Sequence, residues 1–304
     1  MTLPDRIRVL ERGWLSSNNI VFLDDDGATV VDTGYVTHGD ATLHLIDEAL
    51  QGRPLKRIVN THLHSDHAGG NALLQARHDC ETWIPPGESD LVDLWDEDRL
   101  SYRRTGQQCP RFRYDKLIHP HQTLHLGGED WTVLPAAGHD HAMVMLWCER
   151  LGILISADAL WQKGFGVIFP ELAGLPGFGE QKATLDVIGQ LQPRLVIPGH
   201  GAPFTEVEAA LQAAQSRIDW MTAEPRRNTD NALKVMLAFK LLEAHRMTMA
   251  ELTALLRVNL DGNAAMRAHY PQDPEAIAAV LAEQLVRAGA AVREGDQLVA
   301  VGSL

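Results

Sequence analysis

The stretch THLHSDHAGG, residues 61–70, decides how this sequence is interpreted. It follows the apolar run LKRIVN (55–60), which is typical of a buried strand. His62, His64, Asp66 and His67 lie within six residues, and imidazole nitrogens and carboxylate oxygens are the ligands that Zn²⁺ and related ions prefer. In a loop that leaves a strand, the side chains of His62 and His64 can face one metal position. Asp66 and His67 can then face a second metal position. This stretch therefore predicts half of a metal site.

Three further strand ends carry side chains of the same kind. His139 follows the predicted strand WTVLPAA, Asp158 follows GILISA, and His200 follows RLVIP in the run PGHG. Binding sites in α/β proteins gather where the carboxyl ends of strands and their loops converge. A chance scatter of surface polar residues would not repeat this pattern at four strand ends, so we predict that the four segments meet in one site.

These motifs together resemble those of the metallo-β-lactamase superfamily. The resemblance rests on THLHSDH, GHDHA (138–142), the Ala-Asp pair at 157–158 and PGHG (198–201), and VVDTG (30–34) is similar to the family's first motif. It covers roughly residues 15–205. The resemblance implies an αββα sandwich and a metal-dependent hydrolase of the glyoxalase-II-like or lactonase-like branch.

The resemblance also implies a role for each ligand-type residue. A first metal ion would be held by His62, His64 and His139, a second by Asp66, His67 and His200, with Asp158 bridging both and Asp32 in support. We expect two divalent ions, with Zn²⁺ favoured and iron or manganese as alternatives. Two cations about 3.5–4 Å apart can share a water and lower its pKa toward neutrality, giving a bridging hydroxide that attacks the substrate. Asp66 is also the predicted catalytic residue, which orients this nucleophile or passes a proton to the leaving group.

The run after His139 departs from the family pattern. The family often has a small residue followed by Pro-Gly there, whereas this chain has Asp140, His141 and Ala142. The departure leaves the ligand intact and places a second acid and a second imidazole beside it. Whether Asp140 or His141 takes part in binding or proton transfer stays open at this point.

The order of elements predicts an α/β fold with a catalytic domain over residues 1–205. Strands that alternate with helices imply sheets covered by helices. The predicted elements are a hairpin at 19–33, helices at 40–52 and 180–192, and strands at 55–60, 131–137, 142–148, 152–157 and 194–198. Two irregular stretches, 87–116 and 161–179, are predicted to be loops or lids over the site.

Residues 206–304 predict a second, helical domain. Amphipathic helix patterns occur at 205–222, 229–246, 248–258 and 274–288. Thr248 and Glu251 form a capping-box pattern, and two short strands around an EGD turn end the chain, which is the element order of a winged-helix-like unit. Acids slightly outnumber bases from Asn231 onward, whereas a DNA-reading helix needs a basic face. We therefore favour a structural, dimerising or pocket-lining role for this unit.

Composition narrows the class of partner. The chain has 304 residues and a formal net charge of −13, which disfavours nucleic acid as a partner. Its three cysteines, Cys80, Cys109 and Cys148, lack metal-site spacing and predict reduced structural thiols. No signal-peptide pattern and no run of about 18 apolar residues occurs. We predict a cytoplasmic protein without a membrane span that acts on a small molecule, with a homodimer left open.

The predicted activity is hydrolysis of an ester-like bond in a thioester, lactone or carboxylic ester. Three alternatives stay open: a phosphodiesterase or RNA-cleaving hydrolase, an iron-dependent sulfur dioxygenase, and a non-enzymatic regulator that binds DNA through the winged unit. Candidates for lining the substrate pocket are Trp161, Phe165 and Phe169. Weaker candidates for binding an anionic group are Tyr102, Arg103, Arg104 and Lys163. The polar turn with His119, His121 and His125 is interpreted as solvated.

Overall fold

The computed structural model describes residues 3–301, and the first part of the chain forms a six-stranded sheet with helices on its outer face. The elements are β1 (Ile7–Leu10), β2 (Asn19–Asp24), β3 (Gly27–Val31), α1 (Gly39–Leu50), β4 (Leu55–Val59), α2 (Ser65–Ala68), α3 (Asn71–His78), β5 (Glu81–Ile84), α4 (Ser89–Leu94), α5 (Tyr102–Thr105) and β6 (Lys116–Leu117). The strand order is β1-β2-β3-β4-β5-β6. Strands β1 to β3 pair antiparallel, and β3 to β6 pair parallel.

The middle of the chain forms a second, five-stranded sheet. Its elements are β7 (Thr123–Leu126), β8 (Glu129–Pro135), β9 (Val144–Cys148), β10 (Ile153–Ala157), α6 (Phe169–Leu172), α7 (Phe178–Leu191), β11 (Leu195–Pro198) and α8 (Val207–Ala223). The strand order is β11-β10-β9-β8-β7, with β10 and β11 parallel and the other pairs antiparallel. Strands β8, β10 and β11 therefore run in the same direction, and their carboxyl ends meet at one edge.

Strands β2 and β3 of the first sheet and β10 and β11 of the second are buried on both faces, and successive side chains of each strand point to opposite sides. In β2, Ile20 and Phe22 enter the core between the sheets, whereas Val21 packs toward the outer helices α1 and α3. In β11, Ile197 faces the first sheet, and Val196 packs under α7 and α8. The layers thus run helix, sheet, sheet, helix, and the predicted αββα sandwich is confirmed.

The last part of the chain is helical and carries a small sheet. Its elements are α9 (Arg226–Ala244), β12 (Arg246–Thr248), α10 (Met249–Asp261), α11 (Ala264–His269), α12 (Pro274–Arg287), β13 (Ala291–Glu294) and β14 (Gln297–Ala300). The strands pair in the order β12-β14-β13. The helical C-terminal region was predicted, whereas its winged-helix character and the boundary at residue 205 stay predictions. The capping box of Thr248 and Glu251 is present at the start of α10.

The C-terminal region packs against the irregular stretch 161–179. Its apolar core takes in Val167 and Leu172 together with residues of α9, α10, α11 and α12. Asn228 of α9 also pins the backbone of Ile168, because its Nδ2 donates to the Ile168 carbonyl (2.8 Å) and its Oδ1 accepts from the Ile168 N–H (3.2 Å). The loop that follows Asp158 is therefore held by the tail of the chain.

The structure adds short elements that the sequence patterns do not predict. The stretch 87–116 contains α4, α5 and the start of β6, and the stretch 161–179 contains α6. Neither β12 nor α11 was predicted, because elements of three and six residues show too little periodicity. All three cysteines are buried and free. Among residues 3–301, every helix is too short or too polar to cross a lipid bilayer.

We expect Leu256→Ala to destabilise the C-terminal region strongly. Leu256 is fully buried in its core, and such a truncation leaves a cavity that costs about 2–5 kcal/mol of unfolding free energy. The control is Val258→Ala on the same helix, where the side chain is 44% exposed and the expected change is within about 0.5 kcal/mol. Urea unfolding followed by circular dichroism measures both. Equal losses in the two variants would contradict this packing.

Candidate metal centre

The ligand-type side chains come from both halves of the sandwich. Asp66 and His67 lie on α2, which follows β4, and His62 and His64 lie in the link between these two elements. The remaining three, His139, Asp158 and His200, follow β8, β10 and β11. The converging carboxyl ends of these strands bring together all seven residues that the sequence singles out.

The seven residues, which we call the cluster, form overlapping groups. In each group, one donor atom per residue lies within 4.8 Å of the others. The first group is His62, His64 and His139, and the second group is Asp66, His67 and His200. A third set, His62, His67 and Asp158, lies between them. The groups have the membership that the family resemblance implies, and their role as metal ligands stays a prediction.

The first group is oriented by hydrogen bonds on the outer ring nitrogens. The Nδ1 atom of His139 lies 2.6 Å from the carbonyl oxygen of Val167, to which it donates when it carries the proton. Its Nε2 then faces inward, 2.8 Å from Nδ1 of His64. The Nδ1 atom of His62 lies 3.1 Å from Oγ1 of Thr61, which leaves Nε2 toward the cluster. The inward nitrogens are the ones that a metal would bind.

The second group depends on Asp32, the residue of the first motif. Oδ2 of Asp32 lies 2.8 Å from Nδ1 of His67 and accepts from the Thr61 hydroxyl (2.8 Å), while Oδ1 accepts from the Thr61 N–H (2.9 Å). This carboxylate fixes the ring so that Nε2 of His67 points inward. Oδ2 of Asp66 lies 3.1 Å from Nε2 of His200. The supporting role predicted for Asp32 therefore corresponds to a direct contact.

Asp158 lies between the two groups. Its Oδ2 is 3.5 Å from Nε2 of His139 and 3.9 Å from Nε2 of His200. Ala157, just before it, has φ 46°, a strained backbone for a residue with a side chain. Gly199 approaches so closely that a Cβ atom there would collide with Oδ1 of Asp158. The bend at the end of β10 thus places the carboxylate of Asp158 between the first and second groups.

Burial and neighbouring charges set the protonation of the cluster. Burial lowers the pKa of His62 well below the ordinary value and lowers the pKa of His64 and of His139 to about 4. For His67, burial also lowers the pKa, but the surrounding carboxylates, Asp158 first, raise it well above the ordinary value. Three imidazoles are thus neutral at pH 7, which is the form that binds a metal.

The donor set fits divalent cations. Within the part of the chain that the structure describes, Nε2 of His62 and Nε2 of His67 are buried and have no hydrogen-bond partner. An unpaired buried polar atom is costly, and a bound cation would satisfy both. Imidazole and carboxylate ligands suit zinc, iron and manganese alike, so the donor set does not select among these ions.

The residues that depart from the family pattern lie on one side of the first group. Asp140 is buried, with Oδ2 3.9 Å from Nε2 of His64 and Oδ1 accepting from the Ala142 N–H at 2.7 Å. Burial, with the charge of Asp140, raises the pKa of Glu88 well above its ordinary value. His141 has an exposed side chain. Of the two neighbours, Asp140 is the one that faces a cluster residue.

Aromatic rings flank the cluster on two sides. Phe169 lies with its ring centroid 4.9 Å from that of His64, beside the first group. On the other side, Trp14 stacks on His200 at 5.6 Å and contacts Trp161 edge-on at 5.4 Å. Trp14 is 65% exposed and was missed by the sequence analysis, because nothing in its local sequence links it to the distant PGHG motif.

Two of the candidate residues for substrate contact are buried. Phe165 is buried in the core of the second sheet, so it does not line a surface beside the cluster. Tyr102 is buried, and its hydroxyl donates to the carbonyl oxygen of Leu63 at 2.7 Å. Arg103 pairs with Glu97 in an exposed ion pair. Tyr102 is therefore not available to an anionic group, whereas Arg103 lies on a solvated face.

Comparison with known proteins assigns the chain to a family. Residues 12–200 match the family model described as the metallo-beta-lactamase superfamily. The chain therefore belongs to the metallo-beta-lactamase superfamily and is a metal-dependent hydrolase. The predicted family and enzyme class are confirmed.

Three similar proteins show how far the likeness extends. "Probable metallo-hydrolase YqjP" of Bacillus subtilis is 30% identical over 260 residues, which are 74% of this chain and 79% of that protein. "Hydroxyacylglutathione hydrolase" of Hyphomonas neptunium is 25% identical over 235 residues, 77% of each chain. The crystal structure of a beta-lactamase domain protein from Burkholderia ambifaria has a TM-score of 0.59 at 22% identity and covers 99% of this chain and 94% of its own. This last likeness shows a shared fold that includes the C-terminal region.

We expect Asp32→Asn to weaken metal binding by the second group. The substitution keeps the size of the side chain but removes the charge that orients His67, and loss of such a partner costs roughly 10–100-fold in metal affinity. Competition with a zinc chelator measures the change. The matched control is Asp130→Asn, which alters an exposed carboxylate 3.0 Å from Nδ1 of His125. Unchanged zinc affinity in Asp32→Asn would contradict the assigned role.

Proposed function

We propose that this hydrolase cleaves an ester-like bond, in a thioester, lactone or carboxylic ester, with two divalent metal ions held by the cluster. The observation that carries the proposal is the pair of groups with Asp158 between them, within 3.9 Å of ring nitrogens from both. Zn²⁺ is the proposed ion, with iron or manganese as alternatives. Several relatives carry the name hydroxyacylglutathione hydrolase, which supports an acyl-transfer substrate over a phosphodiester.

The side chains of the cluster divide the work of binding and proton transfer. When bound, the two ions would lower the pKa of a shared water and polarise the carbonyl oxygen of the substrate. Asp66, with a side chain 15% exposed, is positioned to orient the attacking water or to pass a proton to the leaving group. Asp32 and the Val167 carbonyl hold His67 and His139 in place, so that the site needs little rearrangement.

The aromatic flanks favour a substrate with an apolar group beside the scissile bond. Trp14 presents a largely exposed ring next to His200, and an exposed tryptophan gains free energy when a ligand covers it. Phe169 gives a second apolar surface beside His64. The net charge of −13 disfavours a nucleic-acid substrate, which is consistent with a small acyl compound.

We expect His62→Ala and Asp158→Ala each to abolish hydrolysis, because each removes a side chain that serves the metal pair. Zinc-loaded protein is assayed against a panel of thioester, lactone, carboxylic ester, phosphodiester and β-lactam substrates. The expected loss of kcat/KM is at least about a thousandfold on the preferred ester-like substrate. His119→Ala, an exposed histidine outside the cluster, is the control. Preference for the phosphodiester, or full activity in both variants, would overturn the proposal.

We expect Trp14→Ala to raise KM for an aromatic acyl thioester about tenfold, since the contact of one large ring contributes about 1.4 kcal/mol. KM for the acetyl thioester should change less than about twofold in the same variant, because the small acyl group does not reach the ring. Trp220→Ala, at a tryptophan 51% exposed on α8, controls for the loss of an exposed indole. Equal shifts for both thioesters would show that the ring does not contact the acyl group.

A further inference from the structure

The carboxylate of Asp158 has a fourth contact, from outside the cluster. The indole Nε1–H of Trp161 donates to Oδ1 of Asp158 at 3.1 Å. The other oxygen, Oδ2, is the one that faces both His139 and His200, while Oδ1 also lies 3.5 Å from Nε2 of His67. The two oxygens of this carboxylate are therefore in different surroundings, and only one of them has a neutral donor.

The position of Trp161 is set by its own backbone and by a neighbouring ring. Its N–H donates to the carbonyl oxygen of Gly164 at 2.7 Å, which closes a tight turn directly after Asp158. Its ring meets the edge of Trp14 at 5.4 Å. The first contact fixes the main chain of Trp161 and the second restricts its ring, so together they position the indole N–H toward Asp158.

We propose that Trp161 is a positioning residue that orients the Asp158 carboxylate so that one oxygen faces both metal positions. This inference rests on the proposed function. The terminal torsion of an aspartate has broad energy minima, so the carboxylate can rotate. A hydrogen-bond donor in a fixed position would restrict this rotation and keep the carboxylate oriented toward two cations. Tryptophan suits this role, because its indole is a donor only and has no lone pair with which to compete for a metal.

The geometry distinguishes this role from simple shielding. A ring that only covers the site would act through its apolar surface, as Trp14 does above His200. The hydrogen bond of Trp161 instead acts through one N–H group. Contacts of this kind to metal-binding side chains typically change metal affinity 10–100-fold, so the two roles give different results in variants that separate the ring from the donor.

Two substitutions at the same position make that separation. Trp161→Phe keeps an aromatic ring and removes the N–H, whereas Trp161→Gln removes the ring and keeps an N–H donor the same number of bonds from Cβ. Trp220→Phe is the matched control, because it makes the same ring change and removes an indole N–H at a tryptophan that is 51% exposed on α8. Full-length variants are titrated with zinc against a chromophoric chelator, and the visible spectrum of the Co²⁺-loaded protein reports the ligand geometry. Circular dichroism and melting temperature verify folding.

We expect the apparent affinity for zinc to fall roughly 10–100-fold in Trp161→Phe, with an altered Co²⁺ spectrum. Trp161→Gln should recover most of the affinity, and Trp220→Phe should stay within about twofold of the wild type. If Trp161→Phe keeps the zinc affinity and the Co²⁺ spectrum of the wild type, this inference is wrong and the proposed function is unaffected. The same holds if Trp161→Gln binds zinc more weakly than Trp161→Phe does. A wild-type chain that binds no zinc would overturn the proposed function and this inference together.

Discussion

The packing of the two sheets on one apolar core is the constraint on which the rest of the structure depends. Residues such as Phe22 and Ile197, from opposite sheets, share this core, and their burial sets the register of every strand in the sandwich. Strands β4, β8, β10 and β11 end at the same edge because of that packing. The cluster is built from residues that lie just beyond those strand ends, so its geometry is a consequence of hydrophobic burial rather than of the polar residues themselves.

The site also carries local costs that the core must offset. Ala157 adopts a positive φ of 46°, which few residues with side chains tolerate, whereas the φ of 56° at Asp32 lies in a region that aspartate enters more readily. His62 and His67 each keep a buried nitrogen without a partner among the described residues. Such strained and unpaired groups concentrate at functional sites, where the surrounding structure over-determines them. The packing of the sandwich thus keeps these carboxylates and imidazoles in positions that the loops would not adopt in isolation.

Local patterns predicted an α/β fold and the membership of the cluster, whereas the αββα sandwich was predicted from the resemblance of the motifs to a known family. Alternating and continuous apolar runs mark the strands, and ligand-type residues such as His139 and His200 stand directly after them. The surroundings of the cluster leave no such pattern. The approach of Trp14 to His200 depends on how distant segments fold together, and the burial of Phe165 and Tyr102 depends on loops whose paths have no periodicity. Short elements such as β12 and α11 were missed for the same reason.

The contact between the tail of the chain and the loop after Asp158 links two regions that are far apart in sequence. Val167 contributes its side chain to the core of the C-terminal region and its carbonyl oxygen to the ring of His139. One residue therefore belongs to both units. If an ion binds the cluster and gains free energy from a well-oriented His139 ring, reciprocity requires that a change in the packing of the tail also changes the affinity for that ion. The C-terminal region is thereby coupled to the orientation of the His139 ring, although it contributes no residue to the cluster.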